Sequence, residues 1–221
     1  TTINGGTLSV SRDANLGAAA GGLIFAGGTL ATTASFETAR GMSLTQAGRF
    51  EVAAGTELGL TGVVSGSGDL IKQGAGTLRL DNSANAYGNT LVAAGTLIGN
   101  TSSISGHIGN AGTVVFNQAA HASFAGDIAA LNGTSGAMIK RGVGVLTLTG
   151  RSSLDWVVEA GGLVSSAERF GGNVAIASGG SFTFDQSANA TYAGVLSGDG
   201  RVTKTGTGTL TLTGTNSYTG A

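Results

Sequence analysis

The chain has no cysteine and no proline, and few of its residues are charged or aromatic. Without thiols there is no disulfide framework, and any metal site would lean on carboxylates and the two histidines, His107 and His121. Absent thiols also suit a chain that must stay unfolded and unlinked in an oxidising compartment. The net charge of −1 offers no electrostatic footing for nucleic acid or an anionic membrane. No run of about 18 apolar residues is present to form a membrane helix, and no signal peptide is visible. No stretch joins helical apolar spacing to helix-forming composition; Ala18–Ala20 and Ala119–Ala122 are too short.

Glycine is abundant instead, at 41 of 221 residues, a level that often marks disorder. Here 41% of the residues are hydrophobic and they alternate with polar ones, so a core can form. One stretch organises the chain: Gly66-Ser-Gly-Asp-Leu-Ile-Lys-Gln-Gly-Ala-Gly-Thr-Leu-Arg-Leu80. It recurs over Gly136–Leu148 and again over Gly198–Leu212. Each copy is a short strand ending in Lys72, Lys140 or Lys204, a Gly-x-Gly corner, and a second strand of alternating leucines. The glycines are expected to be corners at positive φ rather than phosphate loops, since no Gly-Lys-Ser/Thr and no helix follows.

A second marker, Ile3-Asn-Gly-Gly-Thr-Leu8, returns at Val92–Leu97 and Val158–Leu163, at spacings of 89 and 66 residues. The 23 extra residues lie between Leu8 and Phe50, where Gly27-Gly-Thr-Leu30 repeats the theme. A four-residue insertion near Ala129–Ser135 separates the second lysine spacing from the first. An elementary coil of about 22 residues explains these numbers, and the repeat units fall at 1–89, 90–155 and 156–221. Short alternating strands such as Thr77–Leu80, Val145–Leu148 and Thr209–Leu212, joined by glycine corners, predict an all-β fold. The expected architecture is a right-handed parallel β-helix of about ten turns, roughly 48 Å long at about 4.8 Å per turn. A propeller needs a blade of about 40–50 residues, which a 23-residue insertion does not respect. No polar cap is visible at either end, so a fragment of a longer solenoid is expected.

These residues resemble the passenger-associated strand repeat of bacterial autotransporters. Residues 66–97 follow that pattern through Asn85-Ala-Tyr-Gly-Asn89, and residues 198–220 follow it through Asn216-Ser-Tyr-Thr-Gly220. The middle copy, 136–163, is shorter after Leu148 and lacks the Asn-x-Tyr loop. The resemblance implies a type V secretion passenger, exported through an outer-membrane β-barrel and displayed at the bacterial surface or secreted. It implies an adhesin that contacts a host cell surface, an extracellular-matrix component or another copy of itself. A scaffold supporting export of the passenger is the alternative, and a carbohydrate-active enzyme a remote one.

Individual residues are expected to be structural, with no catalytic, cofactor or metal site. The lysines read as corner residues with stems over apolar surface and heads in water. Asp69 and Asp199 resemble calcium turns, but Ala137 stands at the corresponding middle position. No His-Glu-x-x-His pair and no Gly-x-Ser-x-Gly elbow is present, and the acids, Asp155 and Glu159 among them, are scattered singly. Trp156 reads as a core or corner filler, Tyr87 and Tyr218 as corner packing, and Asn82, Asn85, Asn100 and Asn110 as an amide ladder.

Overall fold

Alternation of apolar and polar residues commits each short segment to a strand with one face buried, and the glycine corners stop the strands after a few residues. The computed structural model describes Thr1–Gly220. Among these residues the only helix is one 3₁₀ turn, Asp13–Leu16. The chain divides into two compact units, Thr1–Val114 and Val115–Ala221. Each is a parallel β-solenoid, and together they hold about 11 turns.

In the first unit Leu70–Gln73 pairs in parallel with Gly48–Val52 on one side and Thr90–Val92 on the other. The next strand of the same coil, Thr77–Leu80, lies between Glu57–Leu60 and Thr96–Gly99 in the same way. In the second unit Gly161–Ser165 lies between Val145–Leu148 and Gly180–Asp185. A single strand could bury almost nothing. Stacking brings equivalent side chains into register, as in Leu30–Phe50 and Leu146–Leu163–Phe182, and these residues are essentially inaccessible. Each such side chain contributes about 1.5–3 kcal/mol of burial. Aromatic rings thicken the second core: Phe170, Phe182, Phe184 and Tyr192 form a chain with centroids 4.6–5.0 Å apart between successive pairs.

The coils are tighter and less regular than 22 residues. Spacing between paired residues runs from 17, Thr147 to Val164, to 24, Ser123 to Thr147. A 66-residue unit is therefore not three whole turns. Three rungs carry Ile139 through Val157 and Ala175 to Ser197, and Lys204 then lies on the next sheet. The 23 extra residues near the start form a coil of their own, with Thr29–Thr32 between Thr7–Val10 and Gly48–Val52. The insertion near Ala129–Ser135 is a tight hairpin. Leu131 and Thr134 pair antiparallel around Asn132 and Gly133, both at positive φ, the pattern Asn-Gly favours.

Candidate functional site

Lys72 and Lys140 overturn the expectation that the lysines snorkel to water. Alternation along Leu70–Gln73 turns Lys72 inward, in register with Phe50 before it and Val92 after it, and its side chain is fully buried. The ammonium bends into the Gly-x-Gly corner and donates to the carbonyl oxygens of Gln73 at 2.7 Å, Gly74 at 2.6 Å and Ala94 at 3.1 Å. Lys140 repeats this with Arg141 at 2.7 Å, Gly142 at 2.7 Å and Ala160 at 3.1 Å. The physical reason is a deficit of donors. The corner carbonyls face inward, where no strand reaches them, and an unpaired buried carbonyl is costly. An ammonium brings three donors to three acceptors, while its methylenes fill a core position. Burial pushes both ammonium groups down to about 8. Lys204 behaves differently: its Nζ reaches the Gly206 oxygen and the side chain remains exposed.

The third acceptor comes from the following coil, and glycine makes its approach possible. Gly95 and Gly161 have φ near +70°, and a Cβ on Gly95 would stand 2.4 Å from the Gly74 and Gly76 oxygens.

The remaining sequence candidates are placed in structural roles. Asp69 accepts from the Asn89 amide at 2.7 Å and Asp199 from the Thr219 hydroxyl at 2.9 Å, so both hold the turn that follows theirs. His121 Nδ1 accepts the Val145 amide. Asp155 accepts from the Asn173 amide at 2.7 Å, and Glu159 is paired with Arg141, which holds its carboxyl below the ordinary range. Trp156 is a core residue whose indole N–H reaches Ser152 Oγ at 2.9 Å. Tyr87 is buried with its hydroxyl against Thr90, whereas Tyr218 is half-exposed. The asparagines do not form the expected ladder. Asn82 donates to the Thr61 oxygen, Asn85 accepts the Val64 amide, Asn100 accepts the amides of Ser102 and Ser103, and Asn110 accepts that of Gly112. Backbone groups at irregular corners lack strand partners, and an amide satisfies them better than another amide would be satisfied.

Two features had no expectation attached. Arg40 is buried at the end of the Phe36–Thr38 strand. It clasps the Asp13 carboxylate and the carbonyls of Gly17, Ala18 and Gly21. In the second unit, Ile128, Ser152 and Phe170 pair on successive rungs. This sets Asp127, Arg151 and Arg169 side by side on the outside, next to the small residues Ala129, Ser153 and Gly171. The long and short rows leave a trough of about 410 Å³.

The stacked coils and their lysine-filled corners define a parallel β-solenoid. The passenger-associated-transport-repeat family matches residues 70–98 and 202–221, which include Lys72 and Lys204. The middle copy, with Lys140 and the missing Asn-x-Tyr loop, lies outside the matched residues. Over the matched residues the chain is similar to the repeats of that family. It is similar to the adhesin BmaC autotransporter of Brucella suis biovar 1 (strain 1330), at 46% identity over 98 residues. That match covers 44% of this chain and 3% of the relative. No solved structure matches it.

Proposed function

We propose that the chain is a structural and adhesive segment of an autotransporter adhesin, with no chemistry of its own. It attaches the cell to a host surface or matrix component, or to the same segment on another cell. The observation that carries this reading is the outward face of the coils. Thr77 and Thr96, Thr183 and Thr203, and Thr191 and Thr211 stand in register on neighbouring rungs, the last pair exposed and the others half-buried. Weak contacts repeated at a fixed spacing add up by multivalency without any deep pocket. The relative's name as an adhesin supports the same reading. Deleting these residues from the full protein should leave surface display intact and reduce attachment or cell clumping. Unchanged attachment and clumping with normal display would overturn it.

A second reading has its own observation. Lys72 and Lys140 each bind a carbonyl of the coil that follows, so these two coils are fastened as they are laid. A scaffold that supports export would need such fastening. In that case Lys72→Met in the full protein lowers the amount of passenger reaching the surface, with attachment per displayed molecule unchanged.

A further inference from the structure

We propose that the trough beside Arg151 and Arg169 in the second unit binds a carboxylated sugar residue. This rests on the attachment reading above and names the chemistry of the partner. Arg151 and Arg169 occupy the same outward position on adjacent rungs, through the Ser152–Phe170 pairing. Like charges placed opposite one another on neighbouring strands repel, and a folded chain gains nothing from the arrangement by itself. The neighbouring Glu168 carboxylate offsets part of this repulsion by its charge, but it does not fasten the Arg169 guanidinium by a hydrogen bond. The Arg151 amide donates to Asp127 and its guanidinium to the Glu168 backbone oxygen at 3.2 Å, while the Arg169 guanidinium makes no hydrogen bond to the described residues. Two guanidinium groups at strand spacing, one of them free to donate, suit a carboxylate, which takes charge-assisted and bidentate bonds from arginine.

The surroundings select a sugar over a simple anion. A second cavity of about 430 Å³ continues past Arg151, Glu168 and Arg169 to Ser166, Asp185 and Ser187. Glu168 gives one oxygen to Gln186 Nε2 at 2.9 Å, and Asp185 gives one to the Thr205 hydroxyl at 3.2 Å. Glu168 also accepts from Ser166, and both carboxylates line the cavity beside Ser187, a polar wall for hydroxyl groups. Ile128 and Phe170, the large apolar residues at the trough, are buried beneath it, and the polar groups that a ligand would meet are Arg151, Arg169 and the lining of the second cavity. A ligand with one carboxylate and several hydroxyls matches arginines at one end and carboxylates and serines at the other.

The test is an amide-resolved NMR titration of the intact chain with four probes. These are a hyaluronan tetrasaccharide as a uronate, sialyllactose as a sialate, lactose as the neutral counterpart, and polyglutamate as an anion without hydroxyls. At least one carboxylated sugar is expected to shift amides at 151–153, 166–171 and 185–187, and to bind about tenfold more tightly than lactose. Which of the two does so identifies the source of the carboxylate. Arg169→Ala is expected to weaken that binding at least about fivefold with an unchanged melting temperature, since the side chain supports no internal hydrogen bond. Arg169→Lys is expected to recover only part of it. Lactose binding as well as the acidic sugars, polyglutamate binding as well as they do, or no shift with any probe would each overturn the proposal. If Arg169→Ala spares attachment while deletion of the segment abolishes it, the sugar site falls and the adhesive reading stands.

Discussion

The Lys72 ammonium lies 3.1 Å from the carbonyl oxygen of Ala94, one coil further along the chain, and Lys140 stands at the same distance from Ala160. In both cases the other two acceptors are the two residues directly after the lysine. A charge is thus used as an internal fastener in a chain that has few charges. Replacing Lys72 by Met keeps the stem and removes the donors, leaving three buried carbonyls without partners. Leaving buried polar groups unpaired costs about 1–3 kcal/mol, so Lys72→Met and Lys140→Met should each lower stability by about 3 kcal/mol. Lys204→Met, at an exposed position, should change it by under about 0.5 kcal/mol. Urea midpoints of the three variants check this, and equal midpoints would refute the fastening role.

The same lysines set a pH dependence. Burial brings their pKa from 10.5 to about 8 in the folded chain. Between those values the unfolded chain keeps a proton that the folded chain has released, so stability rises as pH increases through that window. The neutral amine still holds two donors for the corner. Tyr87 and Tyr192 act in the opposite sense, because burial raises their pKa above 10 and the unfolded phenols ionise first. The rise should therefore appear between about pH 8 and pH 9.5 and reverse above about pH 10. Denaturant midpoints measured across that range should show the rise in the native chain and lose it in the Lys72→Met/Lys140→Met double variant.

Gly95 carries a separate constraint, because its φ of +69° and the nearness of the Gly74 and Gly76 oxygens both forbid a side chain. Gly95→Ala should destabilise by about 3 kcal/mol, combining a strained backbone with a displaced corner. Gly41, with open space around it and no positive φ, is the control. Gly41→Ala should stay within about 0.5 kcal/mol of the native chain. Thermal unfolding of both variants makes the comparison.

Much of this was legible in the sequence. The alternation in Thr77-Leu-Arg-Leu80 gave the strands, and recurrence of the lysine motif gave the stacking. The 23-residue excess before Phe50 proved to be a whole coil, Thr29–Thr32 included. Lys72 and Lys140 were misread, because a charged residue near a glycine corner suggests a solvated head. The needed signal was present: Leu70 and Lys72 are two apart, so a buried leucine places the lysine on the buried side as well. The trough was not legible. Arg151 and Arg169 are 18 residues apart, while other rungs are 17 to 24 apart, so only the actual pairing of Ser152 with Phe170 reveals that they are neighbours. Nor could the sequence show that Arg40 reaches Asp13, since that contact spans an excursion with no repeat marker in it.

That excursion supports a final prediction. Residues 11–21 leave the coil, form the 3₁₀ turn Asp13–Leu16 and return, with few strand pairings to hold them. Arg40 fastens them through the Asp13 carboxylate at 2.7 and 3.0 Å and the carbonyls of Gly17 and Gly21 at 2.8 Å. Its planar fork suits this set of acceptors, and a lysine ammonium could satisfy only part of it. In Arg40→Ala the carbonyls and the carboxylate lose their common donor, so amides of residues 13–21 should exchange hydrogen much faster. Leu16 should lose its burial with them. The paired strands Gly48–Val52 and Leu70–Gln73 are held by their own ladders and should keep native protection. Arg40→Lys should fall between the two. Hydrogen exchange read residue by residue distinguishes this local release from general unfolding, and uniform loss of protection across the first unit would show that Arg40 supports the coil rather than the excursion.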